Sequence, residues 1–134
     1  MRATKMLACV GTLIVCLSVP TLGVAEDNCS GYMINIGGKR VVVNNDPNVP
    51  GYPQIGECRE TGTAFGSCTY RDQDGDEYTQ EWRAMPGTPG SSGRWTWKVI
   101  SGTGKFANTR SSGWSRLILN EDHVTVQLWG GDCK

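Results

Sequence analysis

The sequence predicts an all-β domain: a single antiparallel β-barrel of six to eight strands, stapled by disulfides. Three observations carry this. The apolar stretches are short, rich in Val, Ile, Trp and Tyr, and interleaved with polar residues. Glycine recurs every few residues between them, as turns require. After residue 25 no stretch shows the amphipathic period of a helix.

Taken in order, Tyr32 to Ile36 and Arg40 to Val43 flank Gly37-Gly38, a hairpin turn. Asn44 to Gly56 is rich in Pro, Asn and Gly and reads as a loop crossing the surface. Ala64 to Tyr70 is a strand, and Asp74-Gly75 within Arg71 to Asp76 is a strong hairpin signal. Glu77 to Met85 returns, with Tyr78, Gln80, Trp82 and Ala84 on one face and Thr79, Glu81 and Arg83 on the other. Pro86 to Gly93 is a loop. Arg94 to Ile100 alternates again, with Trp95, Trp97 and Val99 on one side. Ser101 to Lys105 is a glycine turn. Gly113 to Leu119 and His123 to Trp129 form a last hairpin around Asn120-Glu121-Asp122, with Val124, Val126 and Leu128 opposite Thr125, Gln127 and Trp129. Regularly spaced short strands indicate a closed barrel or a sandwich. Closure removes exposed edges, with indoles and branched aliphatics expected to share a dry centre.

Residues 1–25 read as a secretory signal peptide. Arg2 and Lys5 supply the positive start, Leu7 to Val19 the apolar run, and Gly23-Val24-Ala25 the small residues for cleavage. The run is too short for a membrane anchor and ends at Pro20, and no second apolar stretch follows. Residues 26–134 are then one domain, exported to a periplasm or the medium, with no membrane insertion of the mature chain. Cys9 and Cys16 leave with the signal, and neither is placed for lipid modification. Removing Arg2 and Lys5 leaves eleven basic against thirteen acidic side chains, a net charge near −2. With no basic run either, nucleic acid has no electrostatic footing as a partner.

Cys29, Cys58, Cys68 and Cys133 remain, an even count that implies two disulfides in an exported domain. Of the three possible pairings we favour Cys58–Cys68, closing a short hairpin-like segment, and Cys29–Cys133, tying the chain ends together. On the chain-entropy model a ring of about 100 residues stabilises by roughly 4–5 kcal/mol. No close Cys-x-x-Cys pair marks a zinc site.

Asp72-Gln73-Asp74-Gly75-Asp76 places Asp72, Asp74 and Asp76 at alternate positions, a candidate calcium loop. The helix–loop–helix pattern does not fit, since Gly75 is fourth and Arg83 stands at the twelfth place. A solvated hairpin tip is the simpler reading. Gly102-Thr103-Gly104-Lys105 lacks the span, the following Ser or Thr and the helix of a phosphate loop. His123, the only histidine, has no partner by spacing, and no serine sits in a nucleophile motif. Asp76 and Glu81 are one of many conceivable carboxylate pairs. Asn28-Cys29-Ser30 matches a glycosylation acceptor by pattern alone. The sequence thus marks no catalytic residue and no cofactor. Five tryptophans are the most informative side chains. Trp82, Trp95, Trp97 and Gln80 are the candidate ligand-binding residues if the barrel is open. If it is narrow, they fill its core.

Cys68-Thr69-Tyr70-Arg71-Asp72-Gln73-Asp74-Gly75-Asp76, then Trp82, then Gly93-Arg94-Trp95-Thr96-Trp97-Lys98-Val99-Ile100-Ser101-Gly102-Thr103-Gly104-Lys105-Phe106 resembles a pattern in small exported bacterial proteins of uncharacterised function. The Gly-Thr-Gly-Lys-Phe turn is also similar to that of dirigent proteins and allene oxide cyclases. That resemblance implies an eight-stranded antiparallel barrel with an apolar interior. Ser101 replaces the first glycine of the turn, and none of those families' catalytic or ligand residues maps onto this chain. The expected role is non-catalytic binding of a small apolar or carbohydrate ligand. The alternatives are an isomerase- or cyclase-like barrel, with Gln80, Glu81, Arg116 or His123 in an open lumen, and an interaction module of the cell envelope displaying Trp114 and Trp129.

Overall fold

The computed structural model describes residues 27–60, 64–86 and 93–134. The expected signal peptide and most of the loop from Pro86 to Gly93 lie outside them. Eight strands, β1 (Cys29–Ile36), β2 (Lys39–Asn44), β3 (Gln54–Glu60), β4 (Phe65–Arg71), β5 (Glu77–Ala84), β6 (Arg94–Gly102), β7 (Ser112–Glu121) and β8 (Val124–Asp132), follow one another in order around a closed antiparallel barrel. Closure comes from β1 on β8, in register from Cys29↔Gly131 to Ile36↔Val124. A single 3-10 turn, Gly104–Phe106, follows β6.

Several strand ends differ from the sequence reading by a few residues, and β3 is a strand that reading does not contain. The surface loop ends at Pro53, and β3 begins at Gln54. This strand lacks an apolar alternation: Glu57 and Arg59 point to solvent, while the inner positions are Gln54, Gly56 and Cys58. The last hairpin turns one or two residues later than expected, at Asp122 and His123, both with positive φ (43° and 66°). His123 is exposed there.

The interior is built on rings lying over glycines. Cross-strand pairs Gly31↔Trp129, Gly56↔Tyr70, Gly66↔Trp82 and Trp97↔Gly113 put each ring over a position with no side chain. Met33, Val42, Cys68, Tyr70, Trp97 and Trp129 form the buried cluster. Of the branched aliphatics expected to share that centre, Val42 lies in it and Val99 packs against it, while others face outward. Ile34, Val41 and Val126 are register partners on the outer face, continued by Ile55, which is 57 % exposed. Rings over glycines take up much of a small barrel, so many of the β-branched residues are left to stiffen the strands from outside.

The disulfides are Cys29–Cys133 and Cys58–Cys68. The first joins the start of β1 to the residue after β8. The second bridges directly opposed residues of β3 and β4.

Candidate functional site

One end of the barrel is open. The loop between β2 and β3, the 3-10 turn and the residues before β7 surround a cavity of about 340 Å³. Its walls are aromatic: Tyr52, Tyr70, Tyr78, Trp97, Phe106 and Trp129, with Met33, Val42 and Val99 between them. The rings brace one another. Tyr52 stacks on Trp129 (centroids 6.1 Å, 15°), Trp129 meets Trp97 edge-on (6.3 Å, 77°), and Tyr78 meets Phe106 edge-on (5.0 Å, 61°).

Most polar edges of these rings are already used. Trp97 Nε1 donates to the Trp114 carbonyl (3.0 Å), and Trp129 Nε1 donates to the carbonyls of Tyr32 and Val43 (3.2 Å each). Tyr78 Oη donates to Gln54 Oε1 (2.5 Å). Burial pushes the phenols of Tyr52 and Tyr70 up from their ordinary value, and that of Tyr78 well up. A bond to Asn44 partly offsets this at Tyr52, and the charge of Arg40 does so at Tyr70. The cavity therefore presents neutral hydroxyls at physiological pH. Gln80 is the exception to internal pairing. It is 7 % exposed, faces the cavity, and its carboxamide makes no hydrogen bond among the described residues.

The rim carries two cations, both paired. Lys134 Nζ lies 2.7 Å from Asp132. Lys105 Nζ lies 2.5 Å from Asp72 and 2.6 Å from Asp74, with Asp76 at 4.0 Å. Asp72 also accepts the backbone N–H groups of Asp74 and Asp76, both at 3.0 Å. The Lys105 bond, chiefly, holds the Asp72 carboxyl below the usual range, and the aspartates push the Lys105 ammonium up. The three alternating carboxylates thus face an ammonium contributed from the opposite loop. No group of three His, Cys, Asp or Glu among the described residues is placed to hold a metal ion.

Of the sequence candidates, Trp97 and Gln80 line the cavity. Trp82 packs against the core over Gly66, its Nε1 buried without a partner among the described residues. Trp95 is half-buried opposite Ala84 and Ser115, away from the cavity. Glu81 faces outward toward Lys98, and Arg116 is exposed. The sequence reading missed Tyr52, Tyr70, Tyr78 and Phe106 as cavity wall. The available signals were the inner-face alternation of Tyr70 and Tyr78, and the aromatic closing the Gly-Thr-Gly-Lys-Phe turn.

Fold and site together define a class: a disulfide-stapled, eight-stranded antiparallel barrel with an aromatic cavity open at one end. No family model, curated protein or solved structure matches the chain. Among the described residues no helix is long and apolar enough to cross a membrane.

Proposed function

We propose that this is an exported, non-catalytic binding protein that takes a small apolar ligand into the open end of its barrel. The carrying observation is the cavity itself, of a size suited to a small molecule and walled by six rings, with one unpartnered carboxamide, Gln80, facing in. An apolar ligand is favoured over a carbohydrate because the ring edges that would serve sugar hydroxyls already bond within the protein. A non-catalytic role is supported by the lining's ionisable groups: phenols kept protonated, and lysines tied to aspartates. Export rests on the N-terminal sequence pattern and agrees with the two disulfides. The Gly-Thr-Gly-Lys-Phe turn resembles that of dirigent proteins and allene oxide cyclases, and such a resemblance does not carry their chemistry.

The test is a titration with the neutral fluorophore N-phenyl-1-naphthylamine. Saturable, one-site enhancement is expected, reduced in Val99→Phe, which fills the cavity. Unsaturable binding, or binding untouched by Val99→Phe, would refute the reading.

A separate observation favours a second reading, an interaction module. Tyr32, Ile34, Ile36, Val41, Val43, Val124, Val126 and Leu128 form an unbroken outer apolar face over three adjacent strands, larger than scattered surface hydrophobes would give. Trp114 is 38 % exposed, but Trp129, the other residue expected on such a face, is buried. Sedimentation of the wild type and of Ile34→Lys would test it: concentration-dependent association lost in the variant supports it, and a monomer throughout excludes self-association.

A further inference from the structure

We infer that the ligand of this cavity is an uncharged carbonyl compound, a ketone, lactone or amide on an apolar body, and that Gln80 is the residue that selects it. This deepens the binding reading above and rests on it.

From the mouth inward, β5 turns Tyr78, Gln80 and then Trp82 toward the barrel interior. Tyr78 and Gln80 line the cavity and Trp82 does not, so Gln80 marks its inner end on this strand. The strand pairing slips at the same level. Thr79 opposes Ser101 and Gln80 opposes Val99, which leaves Ile100 as an extra residue on β6. Such bulges re-aim side chains and recur beside binding sites.

A carboxamide buried without partners is costly in an apolar site. Among the described residues the side-chain atoms sealed away from any space and left without a partner are Asn35 Oδ1 and Trp82 Nε1. The two polar atoms of Gln80, though unpaired, are not among them, so both open on the cavity. The rest of the wall shows which head group they suit. The indole N–H groups of Trp97 and Trp129 and the Tyr78 hydroxyl are spent within the protein. Gln54, also on the wall, gives its carbonyl to Tyr78, and its amide hydrogens have no partner among the described residues. What remains is chiefly donors, the amide groups of Gln80 and Gln54, and donors call for an acceptor. An ionised head is unmatched here. No Asp or Glu side chain lines the cavity, and its two lysines stand at the rim, held by aspartates. An ion taken to the depth of Gln80 would lose its hydration without meeting an opposite charge. A neutral carbonyl oxygen accepts from Gln80 Nε2 at no such cost, and an amide would also donate to Gln80 Oε1.

The test is displacement of N-phenyl-1-naphthylamine by 1-tetralone and by tetralin, which share a ring system and differ in one carbonyl. Wild type and Gln80→Met are compared, since methionine keeps the length of the side chain and removes its hydrogen bonding. The affinity ratio of ketone to hydrocarbon is expected to fall about ten-fold in Gln80→Met, the effect of one hydrogen bond in an apolar site, with fluorophore binding retained. Two measurements need the wild type alone. The carbonyl stretch of bound 1-tetralone should lie at lower frequency than in hexane. The anion 1,2,3,4-tetrahydro-1-naphthoate should displace the fluorophore at least about ten-fold more weakly than the ketone. A ratio unchanged by Gln80→Met, a carbonyl stretch as in hexane, or an anion bound as tightly as the ketone would overturn the inference and leave the cavity reading standing. No fluorophore binding at all would overturn both.

Discussion

Gly31→Ala tests how closely the barrel interior is packed. A Cβ at position 31 would fall on the Val43 carbonyl and 2.9 Å from Trp129 Cζ2. Neither neighbour is free to yield. Val43 belongs to the β1–β2 ladder, and the Trp129 indole is held by two hydrogen bonds and by its stack on Tyr52. Overpacking of this kind costs roughly 1–3 kcal/mol. Displacing the Val43 carbonyl also weakens a Trp129 hydrogen bond, worth about 1 kcal/mol more. The expected loss is therefore about 3 kcal/mol. Gly37→Ala is the control. Nothing lies within 4 Å of an added Cβ there, but φ is 59°, so only left-handed strain of about 1 kcal/mol applies. In urea denaturation, with a slope of about 1.5 kcal/mol per molar, the midpoint should fall by about 2 M for Gly31→Ala and by about 0.7 M for Gly37→Ala. Losses within about 0.5 kcal/mol of each other, or in the reverse order, would refute the packing argument.

Further outcomes follow from the staples, the phenols and the carboxylates. Replacing Cys29 and Cys133 by serine should cost about 2 kcal/mol more than replacing Cys58 and Cys68, because the rings span 104 and 10 residues, and denaturant titration of the two double variants reads this directly. The folded chain holds the phenolic protons of Tyr52, Tyr70 and Tyr78 more tightly than the unfolded chain, so stability should fall from about pH 10 upward. Their phenolate absorbance should then appear only with unfolding. Asp72 works in the opposite direction: its stabilisation is present above the unfolded carboxyl value of about 3.9 and is lost as pH falls through its lower folded value. Lys105→Met should flatten the acid limb of the stability curve, and an unchanged limb would count against the Lys105–Asp72 contact.

The strands most legible in the sequence were those whose two faces differ in chemistry. Along β5, Tyr78, Gln80, Trp82 and Ala84 alternate with Thr79, Glu81 and Arg83, and along β6 Trp95, Trp97 and Val99 stand out in the same way. β3 was illegible because its inner positions are a glutamine, a glycine and a cystine, which bury without being hydrophobic. In β8 the alternation was clear but its sense was not. Gln127 and Trp129 face in while Val124, Val126 and Leu128 face out, and on the inner row Gly31 makes room for the Trp129 ring. The site was less legible still. Trp97 and Gln80 could be picked from a strand pattern, but Tyr52 reaches the cavity from a loop, and Lys105 meets Asp72 across 33 residues of chain.

Methyl NMR of the protein titrated with N-phenyl-1-naphthylamine bears most directly on where a ligand goes, because the inner and outer faces carry different methyl groups. Binding within the barrel should shift Met33, Val42 and Val99 by the ring current of the probe and leave Ile34, Ile55 and Val126 unmoved. Shifts confined to Ile34, Ile55 and Val126 would place the ligand on the outer face and contradict a binding role for the cavity.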